Sequence, residues 1–105
     1  MKEKIFDSSL RIQILTILSL RGSITFTELK KLLSVSDGNL SVHLKKLEDA
    51  NFITVEKKFE RRKPKTTYTL AESGRKEFIA YLNKMEEVLK NLKEVNNGSR
   101  SEVSL

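Results

Sequence analysis

The 105-residue chain contains no cysteine and no tryptophan, and only one proline, one histidine and four glycines. Without cysteine there is no disulfide framework, no thiolate zinc site and no thiol-based metal sensing. The lone histidine, His43, has no carboxylate set beside it with the spacing of a metal site, so neither a metal nor a cofactor is expected. No apolar run approaches the length of a membrane span, and Met1-Lys2-Glu3-Lys4 lacks an apolar signal core. These absences point to a cytoplasmic protein with no membrane partner. No nucleophile, acid and base are brought together by any motif, and no glycine-rich phosphate loop is present, so the chain does not read as an enzyme.

What is present is charge, and it is unevenly placed. Charged residues make up 32% of the chain and the formal net charge is +6. Residues 52–70 hold Lys57, Lys58, Arg61, Arg62, Lys63 and Lys65 against Glu56 and Glu60, a net +4 in nineteen residues, while the other 86 residues carry +2. Such a concentration suits a polyanionic partner; the alternative is a loop decorated for solubility. The length allows one domain with a small core but no separate ligand-binding domain of ordinary size. An effector, if one exists, is not specified.

The hydrophobic pattern places the elements. Ser8 or Ser9 caps a first helix whose face Leu10, Ile14, Ile17, Leu18 and Leu20 ends at Arg21-Gly22. Ile12 and Leu15 make it apolar almost all round, which fits either a central core helix or part of a subunit interface. Ser23-Ile24-Thr25 is short for a strand but can add a third strand to a hairpin. Thr25-Phe26-Thr27-Glu28 matches a capping box, and the helix it opens runs to about Leu33 with Phe26, Leu29, Leu32 and Leu33 inward. Ser34-Val35 makes a turn.

Ser36 then caps a third helix reaching Asn51, with Leu40, Leu44 and Leu47 in one narrow inward arc. The opposite arc carries Gly38, Asn39, Val42, Lys45, Lys46 and Asp49, with Ser41 at its border. Small and hydrogen-bonding near its start, that face has the chemistry for base edges: asparagine pairs with adenine, a valine methyl meets thymine, and serine bonds to base or phosphate. An ordinary solvated face is the alternative for the helix taken alone. Gly38 has a helix cost of about 1 kcal/mol relative to alanine, which close backbone approach to DNA would explain. His43 reads as a partly buried packing residue with one nitrogen bonded to backbone or phosphate.

Two β-like runs follow, Ile53–Phe59 and Thr66–Leu70, around the basic turn Arg61-Arg62-Lys63-Pro64-Lys65. Proline cannot donate to a ladder, so Pro64 is expected in the tip and outside both strands. From Glu72 a last helix carries Phe78, Leu82, Met85, Leu89 and Leu92 at spacings of 4, 3, 4 and 3, widened by Ile79, Tyr81, Val88 and Val95. Running to Val95 it would be about 36 Å long, more than a domain this small covers with its own core. A second copy is the simplest cover, with folding back onto the same domain as the alternative.

These elements describe an α+β winged helix-turn-helix: a DNA-binding core of three helices and a β-hairpin wing over residues 1–70, a C-terminal dimerisation helix over 71–95, and a flexible tail over 96–105. Ser41-Val42-His43-Leu44-Lys45-Lys46-Leu47-Glu48-Asp49-Ala50-Asn51-Phe52-Ile53, followed by Tyr68-Thr69-Leu70-Ala71-Glu72-Ser73-Gly74-Arg75, resembles the recognition helix, wing and post-wing helix start of the ArsR and MarR transcriptional regulators. The resemblance spans roughly residues 7–92. It implies that Ser36–Asn51 enters the major groove of double-stranded DNA, that Arg61, Arg62, Lys63 and Lys65 meet phosphates or the minor groove, and that the terminal helix forms a homodimer. The chain lacks the cysteines of the metal-sensing branch and the longer helical extensions that build a phenolic effector pocket, and so resembles the smallest, effector-poor members. The competing reading is a winged helix used for protein interaction or for architectural, non-specific DNA binding.

Overall fold

The computed structural model describes residues 2–96, and the rest of the expected tail, 97–105, lies outside them. The chain divides into two units at Arg75/Lys76. The first holds a 3₁₀ helix, Lys2–Asp7, then α1 (Ser9–Arg21), β1 (Ser23–Thr25), α2 (Phe26–Leu33), α3 (Asp37–Asp49), β2 (Ile53–Glu60) and β3 (Lys63–Leu70). The last helix, α4, begins in this unit and runs from Glu72 to Asn96.

Local chemistry sets the helix starts where the sequence placed them, whereas the third helix ends at Asp49, short of the expected Asn51. Ser8 Oγ accepts from Arg11 N–H at 3.2 Å and starts α1, which stops at Gly22. Gly22 sits at φ 87°, a left-handed backbone that an L side chain rarely adopts, and its N–H closes the helix on Leu18 O. The capping box at α2 is complete: Thr25 Oγ1 accepts from Glu28 N–H, and Glu28 Oε1 accepts from Thr25 N–H, both at 3.2 Å. Thr25 N–H, and its Oγ1–H at 3.1 Å, both donate to Glu28 Oε1 and hold that carboxyl below its usual range. Ser36 Oγ accepts from Asn39 N–H and starts α3. Asn51 at φ 64° turns the chain out of α3, with Phe52 N–H bonded back to Leu47 O.

The three strands form one antiparallel sheet in the order β1-β3-β2. Short as it is, β1 pairs Ser23, Ile24 and Thr25 with Thr69, Tyr68 and Thr67, so the third strand expected beside the hairpin forms. The core of this unit is built from Ile14, Leu15 and Leu18 of α1, Ile24 of β1, Leu29 of α2, Leu40, Leu44 and Leu47 of α3, and Phe52, Ile53 and Tyr68. Each fully buried aliphatic side chain contributes roughly 1.5–3 kcal/mol.

Several expected positions differ. Leu20 and Leu32, expected inward, are exposed. Leu20 lies on the side of α1 opposite the buried arc of Ile14, Leu15 and Leu18, and Leu32 lies at the margin of the α2 arc that Leu29 fills. The 3₁₀ helix adds to the core a residue that the periodicity did not flag: Ile5 is buried, and Phe6 meets Phe52 edge to face with ring centroids 5.8 Å apart.

The start of α4 is tied down by backbone approach. Ala71 N–H donates to Phe52 O at 2.9 Å and Ser73 Oγ–H to Asn51 O at 2.7 Å. A Cβ on Gly74 would lie 2.6 Å from Phe52 Cα, inside any real contact, so only glycine fits. The glycine of the post-wing motif therefore has a packing cause. Beyond Arg75, α4 exposes Leu82, Met85, Leu89 and Leu92, whereas Phe78 is buried and its ring stacks near that of Tyr81 at 6.5 Å.

Candidate nucleic-acid interface

α3 divides cleanly into a seated and a bare face. Leu40, Leu44 and Leu47 are buried, while Ser36, Gly38, Asn39, Ser41, Val42, Lys45 and Lys46 are all exposed on the other side. The helix is anchored at its start by an ion pair from α2, Lys30 Nζ to Asp37 Oδ1 at 2.6 Å. Lys45 is held by Asp49 at 3.2 Å, and that hydrogen bond raises the Lys45 pKa; Lys46 has no carboxylate within ion-pair distance among the described residues. An added Cβ at Gly38 would meet nothing within 4 Å, so nothing inside the fold requires glycine there.

His43 sits at the flank of this face, and its hydrogen bond is not to backbone. Its Nδ1 lies 2.7 Å from Arg11 Nη1. A guanidinium only donates, so Nδ1 is the acceptor, and the neutral ring carries its proton on Nε2. Burial, then the charges of Arg11 and Lys46, lower the His43 pKa. Arg11 carries no flag in the sequence reading. The available signal was an arginine set between Leu10 and Ile12 in a helix that is apolar almost all round.

The wing is longer and its turn tighter than the sequence indicated. β2 runs to Glu60 and β3 starts at Lys63, so Arg61 and Arg62 alone make the turn, and Lys63, Pro64 and Lys65 belong to the ladder. Both arginines have positive φ, 52° and 66°. That is the backbone of a two-residue hairpin turn matched to strand twist, and it costs an L residue roughly 1–2 kcal/mol. Pro64 is tolerated because Glu60 and Lys63 flank the turn as the hydrogen-bonded pair, so the next pair, Phe59–Pro64, points its N–H groups away from the partner. β1 reaches only Thr67–Thr69, which leaves the other side of Pro64 an open edge.

The ladder sorts the wing's charges. Lys65 is paired to Glu60 at 3.1 Å and Lys58 to Glu56 at 3.6 Å. Both pairs are exposed and of little energetic weight, so phosphate can displace them. Lys57, Arg61, Arg62 and Lys63 have no carboxylate within ion-pair distance among the described residues. Of these, Lys57 enters the sequence reading only through the net charge of its segment. Phe59 is 77% exposed, because the outer half of the hairpin extends past the helices that cover its base.

Among the described residues no group of histidine and carboxylate side chains is placed to hold a metal ion, and no helix is long and apolar enough to cross a membrane. Three helices, with α2 and α3 joined by a short turn, and a three-stranded sheet whose last two strands project as a basic hairpin make a winged helix-turn-helix. The chain belongs to the winged helix DNA-binding domain family, whose model matches residues 10–89. It is 36% identical to an uncharacterized protein of Methanocaldococcus jannaschii over 89 residues, 85% of this chain and 97% of the other. It is similar in structure to a transcriptional regulator homologue from Pyrococcus horikoshii, with a TM-score of 0.81 and 27% identity over 88% of this chain and 91% of that one. An ArsR family transcriptional regulator shares the fold, with a TM-score of 0.59 and 24% identity over 83% and 84% of the two chains. The family and fold are those of DNA-binding transcriptional regulators and not of enzymes.

Proposed function

We propose that the protein is a sequence-specific double-stranded DNA-binding transcriptional regulator that acts as a homodimer. The observation that carries this reading is the charge left uncompensated at the wing tip. Arg61 and Arg62 occupy turn positions that favour asparagine and glycine, at a conformational cost, and they stand beside Lys63, with Lys57 further down the hairpin, and none of the four has a carboxylate within ion-pair distance among the described residues. A phosphate backbone supplies the missing charge.

α3 supplies the second half. Asn39, Ser41 and Val42 present base-reading chemistry in the major groove, Ser36 and Lys45 flank it, Lys46 reaches backbone, and Gly38 lets the helix approach closely. Arg61, Arg62, Lys63 and Lys65 contact phosphates or the minor groove. Pairing of two copies along Leu82, Met85, Leu89 and Leu92, in continuation of Phe78, relates the two α3 helices by a two-fold axis, so that they address half-sites about 34–36 Å apart.

Selection of bound duplexes from a random pool tests specificity and symmetry together, with an inverted repeat as the expected product. Replacing Arg61, Arg62 and Lys63 by alanine weakens binding to every duplex and flattens the slope of log K against log salt by about 0.9 for each phosphate that the variant no longer neutralises. Asn39→Ala instead changes the preferred bases, by about 1–3 kcal/mol per bidentate hydrogen-bonded pair. An unchanged salt slope in the triple variant removes the wing from the interface, and a pool without enriched sequences leaves an architectural DNA binder.

A further inference from the structure

The two faces of the wing carry different chemistry. Along β2, Ile53, Val55, Lys57 and Phe59 point to one side, and Glu56, Lys58 and Glu60 to the other. The second side holds both carboxylates of the hairpin, one paired with Lys58 and one with Lys65. The first side holds none. At its base Ile53 and its cross-strand neighbour Tyr68 are buried, and further out Lys57, Phe59 and Pro64 are exposed. Phe59 and Pro64 face each other as a non-hydrogen-bonded pair, the arrangement in which opposite side chains stand closest, so the two form one apolar ridge near the tip. At 77% exposure the Phe59 ring adds nothing to the core.

The helices cover the base of that same side, and α3 packs against β2. Phe59 therefore stands on the side of the wing on which α3 lies, with Lys57 between them along β2 and Arg61 and Arg62 beyond. At about 3.4 Å per residue the ring is carried about 20 Å along β2 from Ile53. A turn of duplex DNA is about 34 Å, so a major groove and the minor groove next to it are about 17 Å apart. The ridge is thus carried as far as the minor groove beside the major groove that α3 would occupy. Lys57 on one flank and the two turn arginines on the other have no carboxylate within ion-pair distance among the described residues. An apolar wedge between uncompensated cations matches the minor groove, where base steps lie between two rows of phosphates.

We propose that Phe59 is a minor-groove wedge that bends the duplex. Its ring enters one base step and partly unstacks it, while Lys57 and the turn arginines hold the phosphates on either side. Pyrimidine–purine steps unstack most easily, so the wedge favours TA or CA at a position where no side chain hydrogen-bonds to a base. The bend in turn brings more of the DNA backbone to the basic hairpin. The wedge rests on the proposed DNA-binding function and adds to it a mechanical activity and a second source of sequence preference, independent of Asn39, Ser41 and Val42.

The test uses the full chain and a duplex recovered from the random pool, with a fluorescent donor and acceptor at its ends and 2-aminopurine placed in turn at each adenine. Energy transfer should report a bend of about 20–90°, and 2-aminopurine fluorescence should rise at one step as it unstacks. Phe59→Ala should abolish both signals and weaken binding by about tenfold, with the slope of log K against log salt unchanged because no phosphate contact is lost. Phe59→Leu keeps an apolar wedge and should retain most of the bend. Changing the unstacked TA or CA step to AA should weaken the wild type and leave Phe59→Ala unaffected. The exposed ring is no part of the core, so both variants keep the fold. A duplex left straight by the wild type, or bent equally by Phe59→Ala, overturns the wedge while duplex binding stands. Tighter binding of either single strand than of the duplex also overturns it, in favour of stacking on unpaired bases. A protein that binds no duplex at all overturns the DNA-binding reading and the wedge with it.

Discussion

α3 and α4 carry nearly the same apolar pattern and meet opposite fates. Leu40, Leu44 and Leu47 repeat at 4 and 3, and Phe78, Leu82, Met85, Leu89 and Leu92 repeat at 4, 3, 4 and 3. The α3 stripe is 0–2% exposed, whereas Leu82, Met85, Leu89 and Leu92 are 43–56% exposed. Periodicity therefore tells which face of a helix is apolar and says nothing of what covers it. For α3 the cover is the same unit, through α1 and β2; for α4 beyond Phe78 we propose a second copy of the chain.

The comparison is broken most forcefully by charging the open seam. Leu82→Glu with Leu89→Glu places carboxylates in both helices of a dimer, where unpaired burial costs several kcal/mol per site, and sedimentation at micromolar concentration should show a folded monomer in place of the wild-type dimer. A wild-type chain that is monomeric under those conditions, or a double variant that stays dimeric, takes α4 out of the interface.

Truncation sharpens the contrast. Leu44→Ala removes a buried side chain from the first unit and should destabilise it by about 2–5 kcal/mol at every protein concentration. Leu89→Ala should lower the urea midpoint only by weakening assembly, so that its effect shrinks as the chain is diluted and vanishes once the wild type is monomeric. Equal, concentration-independent destabilisation at the two positions would mean that α4 is covered within its own chain.

The smallest expected effect belongs to α3 alone. His43 has a lowered pKa in the folded protein, chiefly through burial and then through Arg11 and Lys46. Below 6.5 the unfolded chain takes up a proton that the folded chain resists, so stability is fully present above that pH and is lost as pH falls through the lower folded value. Arg11 of α1 and Lys46 of α3 are the charges that act on the ring, and both oppose its protonation. Urea midpoints measured from pH 7 downward should fall in wild type, and His43→Gln should flatten the decline in that window. An identical profile for the two proteins would mean that the Arg11–His43 bond contributes nothing to seating α3.

Much of this was legible before any coordinates. Ser8, Thr25 with Glu28, and Ser36 mark helix starts by chemistry that reaches only three residues along the chain, so each was found where it lies. The Leu40, Leu44, Leu47 stripe and the two β-like runs around the basic turn are likewise short-range, and pointed to the α+β winged helix together with the exposed face of α3. Other positions required neighbours distant in sequence. Arg-Arg carries no hairpin signal, and it makes the turn because the register from Ile53–Leu70 to Glu60–Lys63 leaves two residues for it. Pro64 enters a strand because that same register turns its missing N–H outward. Arg11 is buried because Lys4 O, Ile5 O and His43 Nδ1 converge on it from two other elements, and Gly74 is required by the backbone of Phe52, twenty-two residues earlier. Capping and periodicity act over a few residues and are written in the sequence, whereas burial, register and charge compensation depend on which surfaces meet, and only the tertiary structure decides that.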